Sequence, residues 1–282
     1  MKKLRHYNKG LAVVLSVFGS SEPSAIQQYT QLYEEIKKDL PAESELRLAI
    51  SSRTVLKNLE KQGNYHYTLV EQLAFLDRLG YRKIIVVSVN LFPTEEHEYL
   101  LQIVDAFRKT ISCAEYEVTM PVFTKASRIN NYLTSLNEQF RSEESSQNVV
   151  YIAHGNKNLN SSGSQIYSYV RDYLKLLNPR NFFYTVEGCF TYRKEFLLQE
   201  IERENHYSKQ EDDVLLVPLL LVAGNHYKND IQEIKTELNE KFDNVKIPES
   251  YSDNGDFSLL KLQEIRDYFK EEIQQSIKKI TS

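Results

Sequence analysis

The sequence predicts an α/β protein of two similar three-layer α/β/α domains, each with a mainly parallel sheet, and a cleft between them. Three observations carry that prediction. Strand-like and helix-like runs alternate along all 282 residues, two halves repeat one pattern, and a single polar stretch separates them. Alternation of this kind means parallel strands covered by crossover helices, because a parallel pair needs a long connection that packs back on the sheet.

In chain order, the first strand is expected at 11–17, within LAVVLSVF. Lys2, Lys3, Arg5 and Lys9 precede it and Gly19-Ser20-Ser21 follow it, which imitates a secretory signal. The apolar run is short, and a matching strand recurs later in the chain. It is therefore read as a buried core strand that stays attached. Ser24 is a cap candidate for a helix with Ile26, Tyr29, Tyr33 and Ile36 on one face. A second strand is expected at 45–50 and a third at 83–90, inside KIIVVSVNLF. Pro93-Thr94 then opens a helix whose first turn holds Glu95, Glu96 and Glu98, where carboxylates favour the helix dipole. Leu100, Ile103, Val104 and Phe107 give that helix its apolar stripe. A fourth strand is expected at 117–123.

The polar stretch RSEESSQN at 141–148 is the clear composition break, so the domains are expected at 1–143 and 144–282. Beyond it the pattern repeats, with strands at 148–153, 182–186, 213–222 and 244–247. LAVVLSVFGSS opens the first half and NVVYIAHGN the second; KIIVVSVNLF and DVLLVPLLLVAG are the two most apolar runs, hence the expected central strands. Two half-chains of one design imply a cleft.

Composition removes several function classes. Charged residues make up 26% with a net of −4, which gives no broad positive field for nucleic acid. No run of about 18 apolar residues is present to span a bilayer. Cys113 and Cys189 stand far apart without metal or disulfide spacing, so a reducing cytoplasm is expected.

Coordinating side chains recur at equivalent strand ends. His154 follows the first strand of the second half, His226 follows its long strand, and Glu95, Glu96, His97 and Glu98 follow the long strand of the first half. Open α/β folds place ligands at the carboxyl edges of their strands. Two neutral imidazoles and a carboxylate suit Co²⁺, Fe²⁺, Ni²⁺ or Zn²⁺, and a short ligand list leaves positions open for a second reactant. Taken singly, each histidine also reads as a hydrogen-bonded turn residue, and the acidic cluster as a plain helix start. His6, His66 and His206 lie in polar segments and are read as solvated, and the 19 tyrosines as amphipathic packing. Gly155 is expected to let the chain turn away after His154.

FGSS at 18–21, AISSRTVLKNL at 49–59, TMPVF at 119–123, YIAHGN at 151–156, TVEG at 185–188 and PLLLVAGNHYKNDI at 218–231 resemble, in the same order, the anaerobic class II sirohydrochlorin cobaltochelatases of the CbiK type. The resemblance covers nearly the whole chain. It implies the chelatase-like fold, with a C-terminal helix at 259–280 packing across the domain boundary. It also implies insertion of a divalent ion, with Co²⁺ expected and Fe²⁺ or Ni²⁺ as alternatives, into sirohydrochlorin for anaerobic cobalamin biosynthesis. Removal of metal from haem, or a non-catalytic haem or metal binder on the same scaffold, stays open. The partner implied is a tetrapyrrole, without nucleic acid or membrane, and a homo-oligomer is open.

Carried over by motif, the metal ligands are His154, His226 and Glu96. His154 is also expected to accept a pyrrole proton, and Glu187, in TVEG, to relay protons or contact the macrocycle. Ser20 and Ser21, with Arg53 and Lys157, are candidates to hold the substrate's carboxylates. The chain departs from the family pattern at Thr94-Glu95-Glu96-His97-Glu98, where a glycine, two acids, a tyrosine and a glutamate are usual. Asn225 also stands where an aspartate is common, FGSS replaces FGTS, and Lys157 follows the HGN turn.

Overall fold

β1, Lys9–Val17, is one of two inner strands of the first sheet in a computed structural model that describes residues 6–140, 147–205, 213–248 and 256–281. Its sequence KGLAVVLSV is β-branched and apolar because both faces are covered, and Ala12 to Leu15 are fully buried. β2, Glu45–Ile50, pairs with it in parallel on one side and β3, Tyr81–Val89, on the other. The short β4, Glu115–Val118, completes the order β2-β1-β3-β4.

The second sheet repeats this arrangement. β5 (Asn148–Asn156), β6 (Asn181–Gly188), β7 (Asp213–Leu219) and β8 (Asn244–Lys246) lie in the order β6-β5-β7-β8, all parallel. Both long apolar runs, now β3 and β7, are inner strands. The internal repeat is therefore a repeat of topology.

Helices follow the strands, with ends set by local chemistry. α1, Pro23–Asp39, starts one residue before the expected cap Ser24, because a proline is well suited to the first turn. α2, Arg53–Lys61, is capped by the Ser52 side chain, which accepts from the Val55 N–H. α3, Leu69–Leu79, has a reciprocal box between Thr68 and Glu71 and ends on Gly80 at φ 80°. α4, Glu95–Ala106, runs into a π-helical turn at Phe107–Ile111. The second sheet carries α5 (Ala126–Phe140), α6 (Ser164–Leu177), α7 (Lys194–Asn205) and α8 (Gln232–Asn239).

Two compact units result, Met1–Val122 with Leu262–Ser282, and Phe123–Lys261. The boundary read from the polar stretch, at 143/144, lies outside the described residues, as does His206. α9, Gln263–Thr281, belongs to the first unit. There the Tyr268 hydroxyl donates to the carbonyls of Met120 and Pro121 at 2.7 and 3.0 Å, and the Arg266 guanidinium meets Glu35 at 3.0 Å.

Two strands are shorter than their apolar runs. The run at 117–123 stops pairing after Val118, because Met120 and Pro121 give their carbonyls to Tyr268 and proline has no N–H for a ladder. That at 213–222 stops at Leu219, because the carbonyls of Leu220 and Leu221 accept from the N–H groups of Leu259 and Leu260 instead. Among the described residues, no helix is long and apolar enough to cross a membrane.

Candidate metal centre

His154 is not the last residue of its strand. β5 continues through Gly155 and Asn156, which pair with Glu187 and Gly188 of β6. Pairing with β7, by contrast, ends at Ala153, so one side of β5 is open from His154 onward. Gly155 is inside the ladder rather than at a turn, correcting the expectation that it lets the chain leave. It adopts φ +99°, and a Cβ there would lie 1.8 Å from the Glu187 carbonyl oxygen. Gly188 is held the same way against Asn156, at φ +78° with 2.2 Å to the carbonyl. Two glycines thus bring the ends of β5 and β6 closer than any side chain allows, and Glu187 comes to stand beside His154.

Beyond the strand, Asn156 anchors the loop to α6. Its side-chain amide donates to the Asn158 carbonyl at 2.9 Å, to Ser164 Oγ at 3.2 Å and to Ser161 Oγ. Lys157 leaves that loop to pair with Glu187 Oε2 at 2.7 Å. The other carboxylate oxygen, Oε1, is 4.0 Å from His154 Nε2.

His226 arrives from the loop after β7, on the residue before the π-helical turn Tyr227–Ile231 that leads into α8. Such wider turns are frequent at functional sites. Tyr227 fixes the turn from below: it is buried, and its hydroxyl accepts from the Phe257 N–H at 3.1 Å. The imidazoles of His154 and His226 then face each other, Nε2 to Nε2 at 3.0 Å, with ring planes at 86°. Both side chains are 39% exposed, so the pair is open to a reactant. The outward nitrogens are also engaged: His226 Nδ1 is 2.9 Å from Asp230 Oδ2, and His154 Nδ1 is 3.1 Å from its neighbour's carbonyl, Gly155 O.

Two nitrogens at about 2.1 Å from one ion lie roughly 3.0 to 3.4 Å apart for ligand angles between octahedral and tetrahedral. The observed 3.0 Å falls at the near end of that range. Among the described residues no three His, Cys, Asp or Glu side chains form a ready-made cage. What is present is a pair of donors with the Glu187 carboxylate 4.0 Å from one of them.

The remaining sequence candidates belong to the first unit. Glu96 is half-buried in the first turn of α4 and accepts from the Thr94 hydroxyl at 2.5 Å. His97, beside it, is buried: its Nδ1 is 2.9 Å from Ser88 Oγ, which in turn accepts from the Asn90 amide at 3.0 Å. The other ring nitrogen, Nε2, is buried without a hydrogen-bond partner. Burial pushes the His97 pKa below its ordinary value, against a smaller opposing pull from Glu98. Ser20 is buried with its Oγ accepting from the Glu22 N–H at 3.1 Å, while Ser21 is half-buried and Arg53 exposed. His6 and His66 are exposed, as expected.

Asp230 was not among the residues singled out from the sequence. Its signal was there: His226 and Asp230 are four apart at a helix start, the spacing that puts two side chains on one face.

A family model described as Cobalt chelatase (CbiK) matches residues 11–278. Among solved structures, SirB from Bacillus subtilis with Fe³⁺ superposes with a TM-score of 0.63 at 14% identity, covering 95% of each chain. The sirohydrochlorin chelatase SirB from Bacillus subtilis subspecies spizizenii, in complex with cobalt, gives 0.61 at 15% identity and the same 95% coverage of both chains. CbiX, described as the terminal enzyme for biosynthesis of siroheme in denitrifying bacteria, gives 0.51 at 10% identity, over 95% of this chain and 99% of that one. At these identities the likeness is one of fold, and it agrees with the two four-stranded parallel sheets and their flanking helices.

Proposed function

The chain belongs to the cobalt chelatase (CbiK) family, and from that membership we propose that it inserts Co²⁺ into sirohydrochlorin, the reaction of anaerobic cobalamin biosynthesis. The observation that carries the reading is the facing pair His154 and His226, 3.0 Å apart and half-exposed. A chelatase must hold its ion firmly enough to load it and loosely enough to release it. Two neutral imidazoles, without a closed cage of four, meet both needs and leave positions for water and then for pyrrole nitrogens.

Insertion exchanges two pyrrole N–H protons for one divalent ion, so charge balances only if the protons have somewhere to go. His154 has one Nε2 lone pair and cannot hold ion and proton together. In the proposed order, one pyrrole proton leaves to water at the half-exposed site, the ion passes to the macrocycle, and the lone pair it vacates takes the other pyrrole proton. Glu187, 4.0 Å away, receives that proton or steadies the imidazolium, and Lys157 at 2.7 Å keeps the carboxylate in place. His226 stays as the holding ligand, and Glu96 is proposed as the third. Ser20, Ser21, Arg53 and Lys157 are proposed to meet the substrate's carboxylates. A cytoplasmic location is proposed from the two unpaired cysteines.

The test is an anaerobic assay of purified protein with sirohydrochlorin, comparing Co²⁺, Fe²⁺ and Ni²⁺ by the visible spectrum of the product. Many turnovers with Co²⁺ are expected. Faster turnover with Fe²⁺ would move the specificity to siroheme formation, and a spectral change that stops at one equivalent would mean a binder rather than a catalyst.

A further inference from the structure

We propose that Asp230 gives the two facing histidines unequal parts, making His226 the standing Nε2 donor for the metal and leaving His154 as the ring that changes its proton. The inference rests on the reading of the pair as a metal centre. A neutral imidazole carries one ring proton, and the partner of one nitrogen decides which nitrogen has it. Asp230 Oδ2, a carboxylate oxygen with no proton of its own to give, is 2.9 Å from His226 Nδ1, so that nitrogen donates and Nε2 keeps a bare lone pair. The partner of His154 Nδ1 is weaker. Gly155 O is the carbonyl of the adjacent residue, 3.1 Å away and neutral. A hydrogen bond to a charged acceptor is roughly twice as strong as one to a neutral acceptor.

The contact between the rings forces the difference to matter. Two bare Nε2 atoms at 3.0 Å repel, so without a metal one ring must present Nε2–H to the other. The ring less firmly committed at Nδ1 yields, and that is His154. His226 therefore faces an arriving ion with its lone pair ready, whereas His154 must first shift its proton. The i,i+4 placement of His226 and Asp230 holds the carboxylate at the ring through backbone geometry, since both lie on the same turn.

The test uses the full chain without metal, labelled with ¹⁵N-histidine, and then titrated with Co²⁺ alone. Long-range ¹H–¹⁵N spectra are expected to show His226 protonated at Nδ1 and bare at Nε2 in the wild type. In Asp230→Ala the ring should move to the Nε2–H form, and Co²⁺ affinity should fall by about 10- to 100-fold. Asp230→Asn keeps a carbonyl oxygen that can accept from Nδ1–H but loses the charge, so it should fall between the wild type and Asp230→Ala in both tautomer and affinity. An unchanged His226 tautomer or unchanged Co²⁺ affinity in Asp230→Ala would overturn the proposal, as would an Asn variant that loses as much as the Ala variant. His226→Ala separates the two levels. If that variant binds Co²⁺ like the wild type, the metal centre itself is misread and this inference falls with it; if it loses binding while Asp230→Ala does not, only the inference fails.

Discussion

Replacing Gly155 by alanine tests how the fold brings Glu187 to His154. The added Cβ would lie 1.8 Å from the Glu187 carbonyl oxygen and 2.9 Å from Thr185 Cβ, both fixed parts of β6, so no rotamer change relieves it. At φ +99° an alanine also pays for a conformation that L side chains rarely adopt, roughly 1–3 kcal/mol. Moving β6 away by the ångström or more that the contact demands would weaken the ladder at Gly155–Glu187 and Asn156–Gly188. Each hydrogen bond lost there costs about 0.5–1.5 kcal/mol. With two such bonds lost, the sum is a destabilisation of roughly 2–6 kcal/mol. Two other glycines separate the contributions. Gly63 has φ +80° with nothing within 4 Å of a Cβ, so Gly63→Ala should show the conformational part alone, about 1 kcal/mol. Gly10 has ordinary φ and open space, so Gly10→Ala should stay within about 0.5 kcal/mol of the wild type. Denaturant unfolding followed by circular dichroism, with Co²⁺ titration of the folded protein, measures both consequences. If Gly155→Ala is no less stable than Gly63→Ala, the close approach of β5 and β6 does not constrain the site and the reasoning fails.

Other outcomes follow from the same geometry. His154→Ala should lower the initial rate of metal insertion by about 100-fold or more while keeping stability within about 1 kcal/mol, because its side chain is 39% exposed; normal rates, or lost stability with normal rates, would return it to a turn residue. Glu187→Gln should slow insertion with little effect on Co²⁺ affinity, and Glu96→Ala should weaken affinity; the opposite assignment in titrations of both variants would exchange their roles. His97 should make stability fall in acid. Its pKa is lowered by burial, so below about pH 6.5 the unfolded chain takes up a proton that the folded imidazole resists, and stability is lost as pH drops toward the folded value. His97→Gln should flatten that acid slope in melting temperatures, and an equal slope in both proteins would show that another group is responsible.

The architecture was legible because it rests on local signals that tertiary contacts reinforce. LAVVLSV and NVVYIA are β-branched runs long enough for a strand and too short for a buried helix, and the helix-like runs between them require parallel pairing. The apolar excess of KIIVVSV and DVLLVPL likewise marked them as inner strands, since only strands covered on both faces tolerate it. Residue types also identified His154 and His226 as candidate ligands, and their motifs resembled those of one family.

What the sequence could not fix was set by contacts between distant segments. Strand ends were misjudged at Thr119 to Phe123 and Leu220 to Val222, because hydrophobicity does not reveal that the carbonyls of Met120, Pro121, Leu220 and Leu221 are taken by Tyr268, Leu259 and Leu260. His97 stood in an acidic cluster and read as a candidate ligand, yet the turn of α4 carries it inward to Ser88. Gly155 looked like a turn residue because a glycine's role depends on what lies across from its missing Cβ, and here that is a carbonyl 32 positions further along the chain. The Nε2–Nε2 distance joins residues 72 apart in sequence. Chain spacing carries no information about such a distance; it exists only because β5 and β7 are neighbours in one sheet, with the loops at their carboxyl ends brought to the same edge.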